Sequence, residues 1–596
     1  MLRSAISSIL VCLASWLSFA AEKPNAKVFP LSQVQAGMHG VAYTVFEGTT
    51  PEPMDVEILG VLRNMAGPKS DVILARLHGT KVEYTGVVAG MSGSPVYIDG
   101  KLVGAIAYRI GEFSKEPIAG ITPASVMLEI NDIDKMSSAD VAQGLEREKR
   151  EASRTSGPGE TAAGDQQVSG YANLLKPIET PLVFTGFSED TLRRFSKDFA
   201  SAGVVPVMGA GSVSNDKQPE PLVPGSAVSA ILVRGDMNIA GTCTVTYLDD
   251  SHLLACGHAL LQSGNVDMPM TKATVLATLP SPANSFKIVN TTEAVGAFVQ
   301  DRRAGMMGRF DREPHMIPVT LTFRGVSHPK QFHYEVLNNA KLTPAAMMAT
   351  VFNAIQGMNE YGEDTTYRLQ GDISVVGYPK LSVNNMYAPA DGTTPTAYGI
   401  ALSIGERFSR IFDNPYQRPK IEGVELSFDL VPDRRSARLE TARTDVTEAR
   451  PGDEITIETV LRPYRGESLV RQIPVKIPTS TPKGTLRILV SDGDTLDKMR
   501  RAPANMSRRL DLASTIALLN KEHTNSQVYV SLLEANPQAM VDDKVMPTLP
   551  LSVMNVMDGL RGSQDMVVVG ESAVDEASTP VDYVVSGSQI ITLTIK

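Results

Sequence analysis

Short stretches of alternating apolar and polar residues, interrupted by Gly, Pro, Asn and Asp, recur along nearly the whole chain. That period of two predicts β-strands with one buried face, and the punctuation predicts turns between them. In a first unit spanning 28–133, Gly40–Phe46 and Met54–Leu62 alternate across the turn-rich residues 47–53. Val82–Ala89, Val96–Ile98 and Leu102–Tyr108 follow as strands, and Ala124–Ile130 reads as a short helix. A unit of this size holds about one β-barrel.

Residues 134–170 break the pattern. Charge (Leu145–Glu151) and then Ser, Gly, Pro, Thr and Gln bury too little apolar surface to fold, so a disordered or helical linker is expected. The unit 171–422 resumes with strands at Ala227–Val233, Gly241–Leu248, Ile317–Phe323 and Phe332–Val336, and with α/β additions. Ser188 is expected to cap a helix to Phe199, and Thr343 one to Ile355 with Pro344 at its first position. From 423 to 495, strands at Gly423–Leu430, Glu454–Leu461, Val470–Ile477 and Gly484–Val490 suggest an immunoglobulin-like β-sandwich. A small α+β region, 496–596, completes a mainly β, multidomain chain, with a helix at Leu510–Asn520 and strands at Gln527–Leu532 and Gln589–Ile595.

Composition narrows the setting. Residues 1–20 have the form of a signal peptide: Arg3, an apolar run from Ala5 to Phe19, and a small-x-small site at Ser18-Phe19-Ala20. Export to the periplasm or the extracellular space is therefore expected, with no transmembrane anchor in the remainder. A net charge of −10 over 596 residues, with no basic patch, argues against nucleic acid. No Cys/His clustering suggests a metal, and no cofactor is called for. After Cys12, two cysteines remain, Cys243 and Cys256. A turn at Asp249-Asp250 would set them opposite each other, either as a disulfide or as two buried thiols.

The chemical signal is Gly90-Met91-Ser92-Gly93-Ser94-Pro95, a glycine-lined loop between strands. A hydroxyl that attacks a carbonyl must project from a tight turn, and two backbone N–H groups must meet the oxyanion that forms. Ser92 fits the nucleophile, and the N–H groups of Gly90 and Ser92 fit the oxyanion donors. It is not the elbow of α/β-hydrolases, which needs Gly where Ser94 stands.

Thr85–Tyr108 closely resembles the nucleophile region of the SpoIVB serine peptidases, a secreted family with a trypsin-like double β-barrel and a Ser/His/Asp triad. Gly241–His258 resembles the segment carrying the family's histidine, which implies that His258 is the general base. The similarity continues through Met268–Leu276, Asn284–Ile288 and Val299–Gly308. In the family the histidine half comes first; here the serine half does, so the resemblance implies a permuted double barrel formed from the two chain halves. No carboxylate occupies the family's acid position, which aligns with Arg76-Leu77-His78. Asp267 is preferred and Asp71 is the alternative, each equally able to be a turn residue. The resemblance implies a serine endopeptidase acting on proteins or peptides, with a protein partner a further expectation for the sandwich module. The alternative is an inactive relative serving as an envelope or extracellular binding module.

Overall fold

The computed structural model describes residues 27–135, 175–534 and 572–596 apart from a few short stretches inside them, together with parts of 538–569. The leader at 1–20 and all but the first two residues of the linker lie outside the described residues.

The serine half is a closed ring. Strands β1 (His39–Thr44), β2 (Glu52–Leu62), β3 (Val72–His78), β4 (Pro95–Ile98), β5 (Lys101–Ile110) and β6 (Ile118–Pro123) pair in the order β4-β1-β2-β3-β6-β5, and β5 pairs back onto β4. β7 (Leu175–Pro177) adds to β5. The interior is filled by Val56, Ile58, Ile73, Leu77, Val96, Ile106 and Ile121, the alternating apolar positions of the sequence. Asp99 (φ 50°) and Gly100 (φ 71°) make the left-handed pair that a two-residue β4–β5 hairpin requires.

One expected strand is absent. Val82–Thr85, the first part of the stretch read as extended, belongs to a helical turn, Thr80–Thr85, between Gly79 (φ 132°) and Gly86 (φ 72°). Only Val82 is buried there and Tyr84 is exposed, so the apolar alternation had no sheet face to serve.

The histidine half closes a second ring. β8 (Pro181–Thr185), β9 (Val205–Met208), β10 (Ala227–Gly235), β11 (Asn238–Leu248), β12 (His252–Ala255), β13 (Gly264–Leu279), β14 (Phe286–Arg302) and β15 (Gly305–Arg309) contain the cycle β10-β13-β14-β15-β12-β11, which β11 closes onto β10. β16 (Met316–Arg324), β17 (Lys330–Leu337), β18 (Thr366–Val375), β19 (Leu381–Tyr387) and β20 (Ile421–Val431) extend the sheet from β10. Helices Thr343–Met358 and Thr396–Phe412 pack over this extension, and Glu189–Ser201 packs on β9 and on the first of them, with Phe195 edge-on to Phe352 at 5.5 Å. The Ser188 hydroxyl accepts from Thr191 N–H at 3.2 Å, as a cap should.

β20 is the strand expected to open the sandwich, yet it runs parallel to β16 and antiparallel to β18 in the large sheet. The C-terminal module instead packs two sheets drawn from 436–595. One contains Ser436–Thr444, Glu454–Pro463 and Leu469–Lys476; the other contains Gly484–Ser491, Gln527–Glu534, Ser572–Pro580 and Ser588–Ile595. Leu439, Ile457, Ile488, Val530 and Leu593 share its core. Strands read as a separate tail therefore complete the module, because alternation gives a strand two faces without saying which sheet it joins. Among the described residues no helix is long and apolar enough to cross a membrane.

Candidate active site

The two rings meet at the serine loop. Thr244 on β11 donates its N–H to Ser92 O (2.8 Å) and its hydroxyl to Gly90 O (2.9 Å), while Thr246 Oγ1 donates to Gly93 O (2.7 Å). From the first ring, Gly93 N–H bonds Ile106 O at 2.8 Å, and Ser94 Oγ donates to Met91 O at 2.6 Å. The loop is thus clamped from both sides, with Gly90 at φ 99° and Gly93 at φ 97°. Only glycine takes such angles without strain.

Those bonds leave two donors over. Among the described residues no acceptor faces the N–H of Gly90 or of Ser92. Buried N–H groups without partners are rare and costly. Here they are the pair expected to hold an oxyanion.

The histidine arrives on a tight turn after β12. Cys256 (φ 71°) and Gly257 (φ 58°) are both left-handed, and His258 N–H returns to Cys256 O at 2.6 Å. Thr122 Oγ1 donates to Gly257 O at 2.7 Å, tying the turn to the first ring. The Ser92 hydroxyl donates to the carbonyl of Cys256, two residues before His258. The serine hydroxyl therefore reaches the turn that carries the histidine although 166 positions separate Ser92 from His258. Cys243 and Cys256 form a disulfide with Cα atoms 5.2 Å apart, fixing the turn to β11.

The imidazole's tautomer follows from its surroundings. Nδ1 lies 2.8 Å from the carbonyl of Ala259, which can only accept, so Nδ1 carries the proton. Nε2 is buried without a partner among the described residues and keeps its lone pair. Burial holds the His258 pKa below the ordinary imidazole value, partly countered by the backbone groups of Ala259 and Ile178 and by the charge of Asp301. The neutral ring, able to accept a proton, is favoured.

Neither candidate acid is bonded to that ring. Asp267 accepts from His315 N–H at 2.9 Å and borders a cleft of about 440 Å³ with Ser263, Lys341 and Arg418. Asp71 sits at the end of the β2–β3 hairpin, where Asn64 N–H (2.8 Å) and the Arg63 guanidinium (2.6 Å) hold its carboxyl below the usual range. The carboxylate whose charge His258 feels is Asp301 on β14, fully buried. It accepts the N–H groups of Leu260 (2.8 Å), Leu261 (2.8 Å) and Ser263 (3.2 Å), bracing the segment that follows the histidine. Burial raises its pKa and those three N–H groups pull it back. In the sequence Asp301 stands among Gln300, Arg302 and Arg303, which reads as a polar turn and hides a buried strand position.

No curated protein and no solved structure matches the chain. A family match falls on the serine half: residues 14–121, which hold the Gly90–Ser94 loop and stop short of His258 and Asp301. Over that segment the chain matches the SpoIVB peptidase S55 family, the family that its serine loop resembles.

Proposed function

We propose that this chain is an exported serine endopeptidase of permuted, trypsin-like construction, cleaving proteins or peptides by acyl transfer. The observation that carries this reading is the convergence, across two closed rings, of a buried hydroxyl, a histidine nitrogen with a free lone pair and two N–H groups without acceptors. Rotation of the Ser92 side chain turns its hydroxyl from Cys256 O toward His258 Nε2. Ser92 Oγ then attacks the substrate carbonyl carbon as Nε2 takes its proton, and the Gly90 and Ser92 N–H groups hold the oxyanion. Collapse breaks the C–N bond, and His258 returns the proton to the leaving amine. Water, deprotonated by the same nitrogen, releases the acid and restores Ser92.

In place of Asp267 or Asp71, we assign to Asp301 the stabilisation of the imidazolium formed in each half-reaction. Asp301→Asn is then expected to slow acylation roughly ten-fold and to move the acid limb of its pH profile to lower pH. The sign follows from the charge: Asp301 raises the His258 pKa, so its loss lowers it. An unmoved limb rejects the assignment.

The apolar leader and the Cys243–Cys256 disulfide support an oxidising destination, the periplasm or the extracellular space. The two-sheet C-terminal module supports an immunoglobulin-like reading, and we assign to it the holding of a protein partner. Ser92 is fully buried and His258 is 6% exposed, which favours a second reading, an inactive peptidase fold used for binding. Fluorophosphonate labelling followed by peptide mass spectrometry separates the two. An adduct on Ser92 that forms at least about a hundred-fold more slowly in His258→Gln is the expected result. No adduct in folded protein makes the binding reading the one to pursue.

A further inference from the structure

Lys287 is a lysine enclosed in the protein with no carboxylate beside it among the described residues. It is the second residue of β14, at 2% exposure, and its N–H donates to Ala89 O at 3.2 Å, so the strand starts alongside the loop that leads to Ser92. Its stem lies against Gly90: a Cβ built there would stand 3.1 Å from Lys287 Cδ and 3.4 Å from Cγ. Beyond the stem, Nζ donates to Thr44 Oγ1 on β1 at 2.8 Å, and Thr44 is itself fully buried.

The elements around it supply no countercharge. On β1 the neighbours of Thr44 are Tyr43 and Val45, on the serine loop they are Ala89, Gly90 and Met91, and on β13 Lys287 faces Thr278. Tyr43 is the one titratable side chain among these. Burying an uncompensated ammonium is expensive. Enclosure accordingly brings the Lys287 pKa down to about 7.

We propose that Lys287 is a positioning residue for the acyl transfer assigned to Ser92, an inference that rests on that assignment: as an ammonium it sets a positive charge behind Gly90 and strengthens the loop's hold on the oxyanion. As a neutral amine it gives no such help. His258 must be neutral to accept the serine's proton, and Lys287 must be charged. The acylation rate therefore follows a bell, rising as His258 deprotonates and falling as pH passes about 7.

The test is the second-order rate of fluorophosphonate acylation of the intact mature chain from about pH 5 to about pH 9, for wild type, Lys287→Met, Lys287→Arg and Thr44→Val. Wild type is expected to lose reactivity above about pH 7. Lys287→Met, near-isosteric and neutral, is expected to react roughly ten-fold more slowly on the acid side and to show no alkaline fall. Lys287→Arg, charged throughout, should keep the rate and also lack the fall. Thr44→Val removes the hydrogen bond that Nζ donates to Thr44 Oγ1 and should carry the alkaline limb to lower pH. A wild-type rate level above pH 7, or a fall that survives in Lys287→Met, overturns the proposal and leaves the acyl-transfer reading standing. No adduct on Ser92 in wild type at any pH overturns that reading, and this inference with it.

Discussion

Replacing Ser92 with alanine will lower peptide-bond hydrolysis by roughly three orders of magnitude or more, while the chain remains folded. The loss is large because no second nucleophile stands in the loop: Ser94, two residues on, spends its hydroxyl on Met91 O. The effect on stability is small by comparison. Without Ser92 Oγ the carbonyl of Cys256 keeps the bond from His258 N–H, so no acceptor is orphaned and about 1 kcal/mol is at stake. Initial rates on a denatured protein substrate, beside thermal melts of both proteins, check this. Wild-type turnover by Ser92→Ala would remove Ser92 from the reaction.

The second large effect is on the joint between the rings. A Cβ on Gly93 would lie 2.0 Å from the carbonyl oxygen of Thr244 and 2.5 Å from the nitrogen of Cys256, at a φ of 97° that side chains rarely adopt. Neither atom can retreat, since Thr244 sits in the β11 ladder and Cys256 is tied to the same strand by the disulfide. Gly93→Ala is therefore expected to cost more than about 4 kcal/mol and to part the serine loop from β11. Gly37→Ala is the control: its φ is 82° but nothing lies within 4 Å of the new methyl group. Strain alone should cost it about 1 kcal/mol. Urea unfolding of both variants gives the comparison, and equal losses would mean that the loop is not wedged between the rings.

The local sequence determined much of this molecule. β2 alternates because one face of it lines a ring interior, whereas β5 and β10 are apolar or small nearly throughout because both of their faces are covered, and both demands are written residue by residue. The turn at Gly90–Ser94 was equally legible, since its positive φ angles at Gly90 and Gly93 need glycine. Only the resemblance of Gly241–His258 singled out His258 among the histidines, and its role is part of the proposal.

Three things were settled only by packing. Asp301 and Lys287 are charged residues in strands; the sequence shows charge, and burial beside His258 and Gly90 is what gives that charge a use. Asp267 and Asp71 had suitable chain positions, yet the fold turns them toward His315, Arg63 and Asn64. The sheet that takes up β20 likewise depends on which neighbour offers a free edge, not on the strand's own pattern. Propensity and alternation act over a few residues, whereas the site proposed from positions 92, 258 and 301 depends on how two closed rings seat against each other.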